Sequence, residues 1–133
     1  MRAKLGFLIV GAGLLISAAP VFAHHSFAAE YDAAKPVDFK GVVTKVEWTN
    51  PHARFYVDVK DANGNVTNWN FELASPNVLS RNGWTRHSLK EGDVISVQGS
   101  KAKDGANLAN ARTVTLADGR KVFAGSATDN EGK

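Results

Sequence analysis

From Val37 onward the chain falls into stretches in which apolar and polar residues alternate with a period of two, the pattern of strands that bury one face. In the first such stretch Phe39, Gly41 and Val43 fall on one face, and Asp38, Lys40 and Val42 on the other. Beyond Lys45 the phase slips, and the large apolar residues Val46 and Trp48 stand at even positions. A slip of one residue predicts a bulge or sharp bend near Thr44–Lys45, with Gly41 easing the curvature. The first strand is thus expected to be long, bent and able to belong to two sheets. The second strand carries Ala53, Phe55, Val57 and Val59 inward, with Arg54, Tyr56, Asp58 and Lys60 outward. After a glycine-bearing hairpin loop at Asp61–Asn65, the third places Trp69, Phe71 and Leu73 inward and Asn68, Asn70 and Glu72 outward. Of the aromatic residues, Trp48, Trp69, Phe55 and Phe71 read most simply as core.

The period then changes. Ser75-Pro76 is a helix start, with serine as N-cap and proline at the first helical position, and Gly83 can close a helix of about two turns. Further strands are expected over Val94–Ser100, Leu108–Leu116 and Lys121–Phe123. Three strands, a short helix and two or more strands make an all-β chain of OB-fold-like architecture, a small five- to six-stranded barrel. An immunoglobulin-like sandwich would need about seven strands and no helix in the middle. The barrel domain is expected over residues 37–125, after an extended arm, 24–36, in which Phe27 and Tyr31 are candidate anchors. Residues 126–133 form a small, polar tail.

Ahead of the arm, residues 1–23 have the three parts of a secretory signal peptide: Arg2 and Lys4, the apolar run Leu5–Ala19, and Val21-Phe22-Ala23 for cleavage after Ala23. The apolar run is shorter than the roughly 20 residues a spanning helix needs. The mature chain is therefore expected in the periplasm or secreted, with no membrane span after cleavage. Ile9-Val10-Gly11-Ala12-Gly13 imitates a dinucleotide-binding turn, but it lacks the third glycine and meets Pro20 where a helix should run. Charge changes the picture once the leader is set aside. The whole chain carries 16 Lys and Arg against 13 Asp and Glu, and removing Arg2 and Lys4 leaves 14 against 13. That balance gives no electrostatic footprint for a nucleic acid, so none is expected as a partner. With no cysteine, disulfide staples, zinc–cysteine fingers and thiol nucleophiles are excluded.

Four blocks, Ala23-His24-His25-Ser26-Phe27, Trp48-Thr49-Asn50-Pro51-His52, Ser75-Pro76-Asn77 and Arg81-x-Gly83-Trp84-Thr85, resemble in content and order an uncharacterised family of short exported bacterial proteins, a domain of unknown function. The resemblance runs from His24 to about Lys121 and implies a small periplasmic or secreted β-barrel from a Gram-negative bacterium, with no established activity. A looser similarity to exported bacterial OB-fold proteins implies the same fold and transfers no sites.

Histidines carry the most chemistry. Cleavage after Ala23 would make His24 the new N-terminus, offering its amine and its imidazole to one ion. With a further imidazole this makes a three-nitrogen set suited to Cu(II). His24, His25 and His52 are the candidate metal ligands and copper the candidate cofactor, with His52 held beside Pro51 at the mouth of a hairpin. A solvated His-His terminus and a turn-bonded His52 are the plainer readings of the same residues. His87 reads as a surface residue. A second candidate set, Asn50, Arg54, Tyr56 and Trp84, would serve a protein- or glycan-binding module without metal. Glu47, Asp58 and Glu72 beside Lys45, Arg54 and Lys60 read as a solvated charge pattern of little energetic weight. No nucleophile elbow, HExxH or phosphate loop occurs, and no catalytic residue is assigned. The expected role is a binding or accessory module for a periplasmic protein or small ligand.

Overall fold

The computed structural model describes residues 27–125. The expected signal peptide, His24, His25 and the tail 126–133 lie outside the described residues. A single helical turn, α1 (Phe27–Glu30), leads into the 17-residue strand β1 (Tyr31–Glu47). The chain continues through β2 (Arg54–Lys60), β3 (Val66–Glu72), α2 (Pro76–Arg81), β4 (Val94–Ala102), β5 (Leu108–Thr115) and β6 (Lys121–Phe123).

β1 holds the sheet together. Its C-terminal half pairs antiparallel with β2, from Gly41↔Val59 to Glu47↔Arg54, and its N-terminal half with β4, from Tyr31↔Ala102 to Val42↔Val94. β3 pairs antiparallel with β2 and also parallel with β5 through Asn70↔Leu108, Phe71↔Ala109 and Glu72↔Asn110. That last pairing closes β1–β5 into a ring, and β6 extends it beyond β5. The result is the OB-like, all-β arrangement expected from the alternation, with α2 between the third and fourth strands.

The register of β1 on β2 shifts between Val43 and Lys45, where the apolar phase slips. At Gly41 more than curvature is at stake, because a Cβ there would run into the Asp58 carbonyl oxygen and meet Val57 Cγ1 at 2.6 Å. β1 crosses β2 so closely at this point that only glycine fits. Inside the ring Val43, Phe55, Val57, Phe71, Leu73, Ile95, Val97 and Val114 are fully buried, together with Leu79 from α2. The cross-strand pair Phe55↔Phe71 stacks with centroids 5.2 Å apart, an arrangement worth about 0.5–1.5 kcal/mol beyond its area. Trp48 packs against this core from its partly buried margin. The helix boundaries follow the sequence signals: Ser75 Oγ accepts the Val78 N–H, and Gly83 has φ +89° one residue past the C-cap Asn82.

Two stretches differ from expectation. The arm is not extended throughout, since Phe27–Glu30 is helical and β1 begins at Tyr31, well before Val37. The cause is pairing beyond the expected end of the fourth strand: β4 continues to Ala102, and the Lys103 N–H bonds Glu30 O at 2.9 Å. A break in register between Asp32 and Pro36 accommodates a proline that has no N–H for the ladder.

Candidate functional site

At the end of the ring where β1 begins and β3 finishes, polar side chains from three strands meet. Glu72, the last residue of β3, has the outward phase of its strand yet is only 8% exposed. Its neighbours explain why. Tyr31, 2% exposed at the start of β1, donates its phenol proton to Glu72 Oε2 at 2.9 Å. Arg54, its cross-strand partner on β2, donates from Nη2 to the same oxygen at 2.6 Å and reaches Asn70 Oδ1 from Nη1 at 3.5 Å. The expected solvated charge pattern is therefore corrected at Glu72, because the buried Tyr31 and the neighbouring Arg54 both bond its carboxylate and leave it little exposed. Burial above all, and then the adjacent Glu72 carboxylate, push the Tyr31 phenol well above its ordinary value. Tyr31 thus stays protonated and remains a donor.

His52 stands beside this cluster, in the loop between β1 and β2. Its Nδ1 lies 2.9 Å from Leu73 O and 3.8 Å from Glu72 Oε1. A backbone carbonyl can only accept, so Nδ1 carries the proton and, in the neutral ring, Nε2 keeps its lone pair. The ring is fixed at one nitrogen and available at the other, with its side chain 36% exposed.

The remaining candidates do not assemble into one surface. Trp84 is 3% exposed and donates Nε1–H to Phe123 O at 2.8 Å. Its indole belongs to the core, which corrects its place in the candidate protein- or glycan-binding set. Tyr56 is half-buried on β2 with Lys45 Nζ 5.3 Å from its ring centre. Asn50 is exposed, before a cis bond to Pro51. So the structure brings His52 and Arg54 together around Glu72 and leaves Asn50, Tyr56 and Trp84 elsewhere. Neither Glu72 nor Tyr31 is among the candidate site residues that the sequence offers. The available signal was the juxtaposition of an anchoring tyrosine in the arm with an Arg–Glu pair across two adjacent strands.

Among the described residues no three His, Asp or Glu side chains converge as a metal-ligand set. His52 would need ligands from beyond them. No helix among the described residues is long and apolar enough to cross a membrane.

No curated protein matches this chain. Among solved structures, it is similar to two crystal structures of Rim1, a mitochondrial single-stranded DNA binding protein from S. cerevisiae. One is 8% identical with a TM-score of 0.48, the other 11% identical with a TM-score of 0.45. In both, the match covers 62% of this chain and 92% of the other. The model of a family of unknown function, DUF6152, matches residues 12–111, and the chain belongs to that family.

Proposed function

We propose that this protein is an exported binding module that takes up Cu(II) through the amine and imidazole of a mature N-terminal His24 together with His52 Nε2, with His25 beside them. The observation that carries the reading is the His52 hydrogen bond to Leu73 O, which orients the ring and directs coordination to Nε2. A carbonyl or carboxylate behind the proton-bearing nitrogen is the usual arrangement of a metal-ligating histidine. Reach also fits. The Phe27 ring packs 5.7 Å from that of Tyr31, whose hydroxyl bonds the carboxylate next to His52. His24 precedes Phe27 by three residues, an extended span of up to ~10 Å. Nitrogen donors in a tetragonal set favour Cu(II) over Zn(II).

The test is Cu(II) titration with electron paramagnetic resonance on protein exported and processed by its host, its N-terminus read by mass spectrometry. One equivalent of a nitrogen-rich tetragonal signal is expected. It should lose one nitrogen in His52→Ala and vanish when residues are added ahead of His24. A signal indifferent to both changes overturns the reading, as does an unprocessed N-terminus.

A further inference from the structure

The ladder between β1 and β4 is broken once. It advances from Asp32 to Pro36 along β1 but only from Lys101 to Ser100 along β4, so Ala33, Ala34 and Lys35 loop out. Those three residues and Pro36 are exposed, and the Asp32 carboxylate closes the loop by accepting the Ala34 N–H at 2.9 Å. Ahead of the break, Phe27–Asp32 is tied to the ring at few points. Tyr31 and Asp32 pair with Ala102 and Lys101, Glu30 O accepts the Lys103 N–H at 2.9 Å, and Ala28 O accepts the Lys103 ammonium. No residue of α1 is buried. The one deep attachment is the buried Tyr31, with its hydroxyl on Glu72 Oε2. A segment held by a single buried side chain, beyond an exposed break in its ladder, meets the physical conditions for opening apart from the rest of the sheet.

We infer that Phe27–Asp32 is a hinged strap, pegged by Tyr31 and bending at Ala33–Lys35, whose closure completes the metal site. The inference rests on the copper reading and adds the regulation of that site. His24 lies ahead of the strap in the chain, whereas His52 stands on the ring side of the hinge, beside the carboxylate that Tyr31 bonds. The structure holds the closed form. An ion that needs ligands from both sides of the hinge binds that form and not the open one. Metal binding and strap closure therefore strengthen each other by the same factor.

The experiment is hydrogen–deuterium exchange read by mass spectrometry on the exported, processed chain, without metal and with buffered Cu(II). Without metal, the amides of residues 27–32 and of Lys103 should exchange ahead of those of residues 37–47. Tyr31→Phe should speed them about tenfold, the effect of one hydrogen bond to a charged group. Free Cu(II) at about 100 times its dissociation constant should slow them about a hundredfold. His52→Ala should leave the metal-free rates as they are and abolish the slowing. Strap amides that exchange together with residues 37–47 in the metal-free chain, or that ignore Tyr31→Phe, overturn the strap. Unchanged exchange beside a nitrogen-rich Cu(II) resonance overturns the coupling and leaves the copper reading standing. The absence of any such resonance overturns both, and slowing that persists in His52→Ala overturns the closure through that ring.

Discussion

Two arginine–carboxylate pairs in this molecule are almost the same length. Arg54 meets Glu72 at 2.6 Å and Arg120 meets Asp118 at 2.7 Å. Their surroundings are opposite. The Glu72 side chain is 10% exposed and shares its oxygen with Tyr31, whereas Asp118 is 53% exposed in a tight turn beside its own partner. The backbone N–H of Arg120, and then its guanidinium, hold the Asp118 carboxyl below the usual range, yet water would solvate both groups almost as well. Distance is therefore a poor guide to energetic weight. What matters is how much of each charge water could recover if the partner left.

The sharpest way to break the comparison is Glu72→Ala. It strands a guanidinium and a buried phenol together, and should cost about 2–4 kcal/mol in urea unfolding, toward the lower side for buried pairs because Arg54 keeps some access to water. A loss no larger than that at Asp118 would mean water enters the Glu72 end freely.

Tyr31→Phe should cost less, about 1.5 kcal/mol, for one hydrogen bond to a charged acceptor. It also has a pH signature. The phenol titrates higher in the folded chain than in the unfolded one, so above about pH 10 the folded state binds more protons and stability falls as pH rises. Urea midpoints measured from pH 8 to 11 should decline more steeply in the wild type than in Tyr31→Phe. Parallel curves would remove Tyr31 from the network.

At the small end, Asp118→Ala should leave the unfolding midpoint within experimental scatter at neutral pH. A clear loss there would show that the turn, and not solvent access, sets the weight of such a pair.

Much of this architecture was legible in local pattern. The apolar phase slip marked the bulge after Val43, Ser75-Pro76 and Gly83 bracketed α2, and the three final strands fall within two residues of their expected ends. The four motif blocks pointed to the family whose model matches residues 12–111. The Glu72 cluster was not legible, because alternation states which face of β3 a residue occupies and not what lies over that face. Tyr31 lies 41 residues from Glu72, and the ladder to β4 that positions it joins Tyr31 to Ala102. Trp84 fails the other way. It stands in a loop between helix and strand, outside any period, and its place in the core, with its indole N–H on Phe123 O 39 residues away, is a long-range outcome.

The ring is not equally strong around its circumference. β3 and β5 are joined through three residue pairs, while every other junction between ring strands has six or more. One of the three, Glu72↔Asn110, is formed by the residue that Tyr31 and Arg54 grip from either side. Mechanically, the polar cluster is the clasp of a bracelet. It ties the shortest seam to the first and second strands, so losing the carboxylate should loosen that seam before the longer ones. Once the clasp is released, β3 and β5 would present bare edges to each other and to any neighbouring copy, and the backbone amides of the seam would exchange with solvent ahead of those along β1.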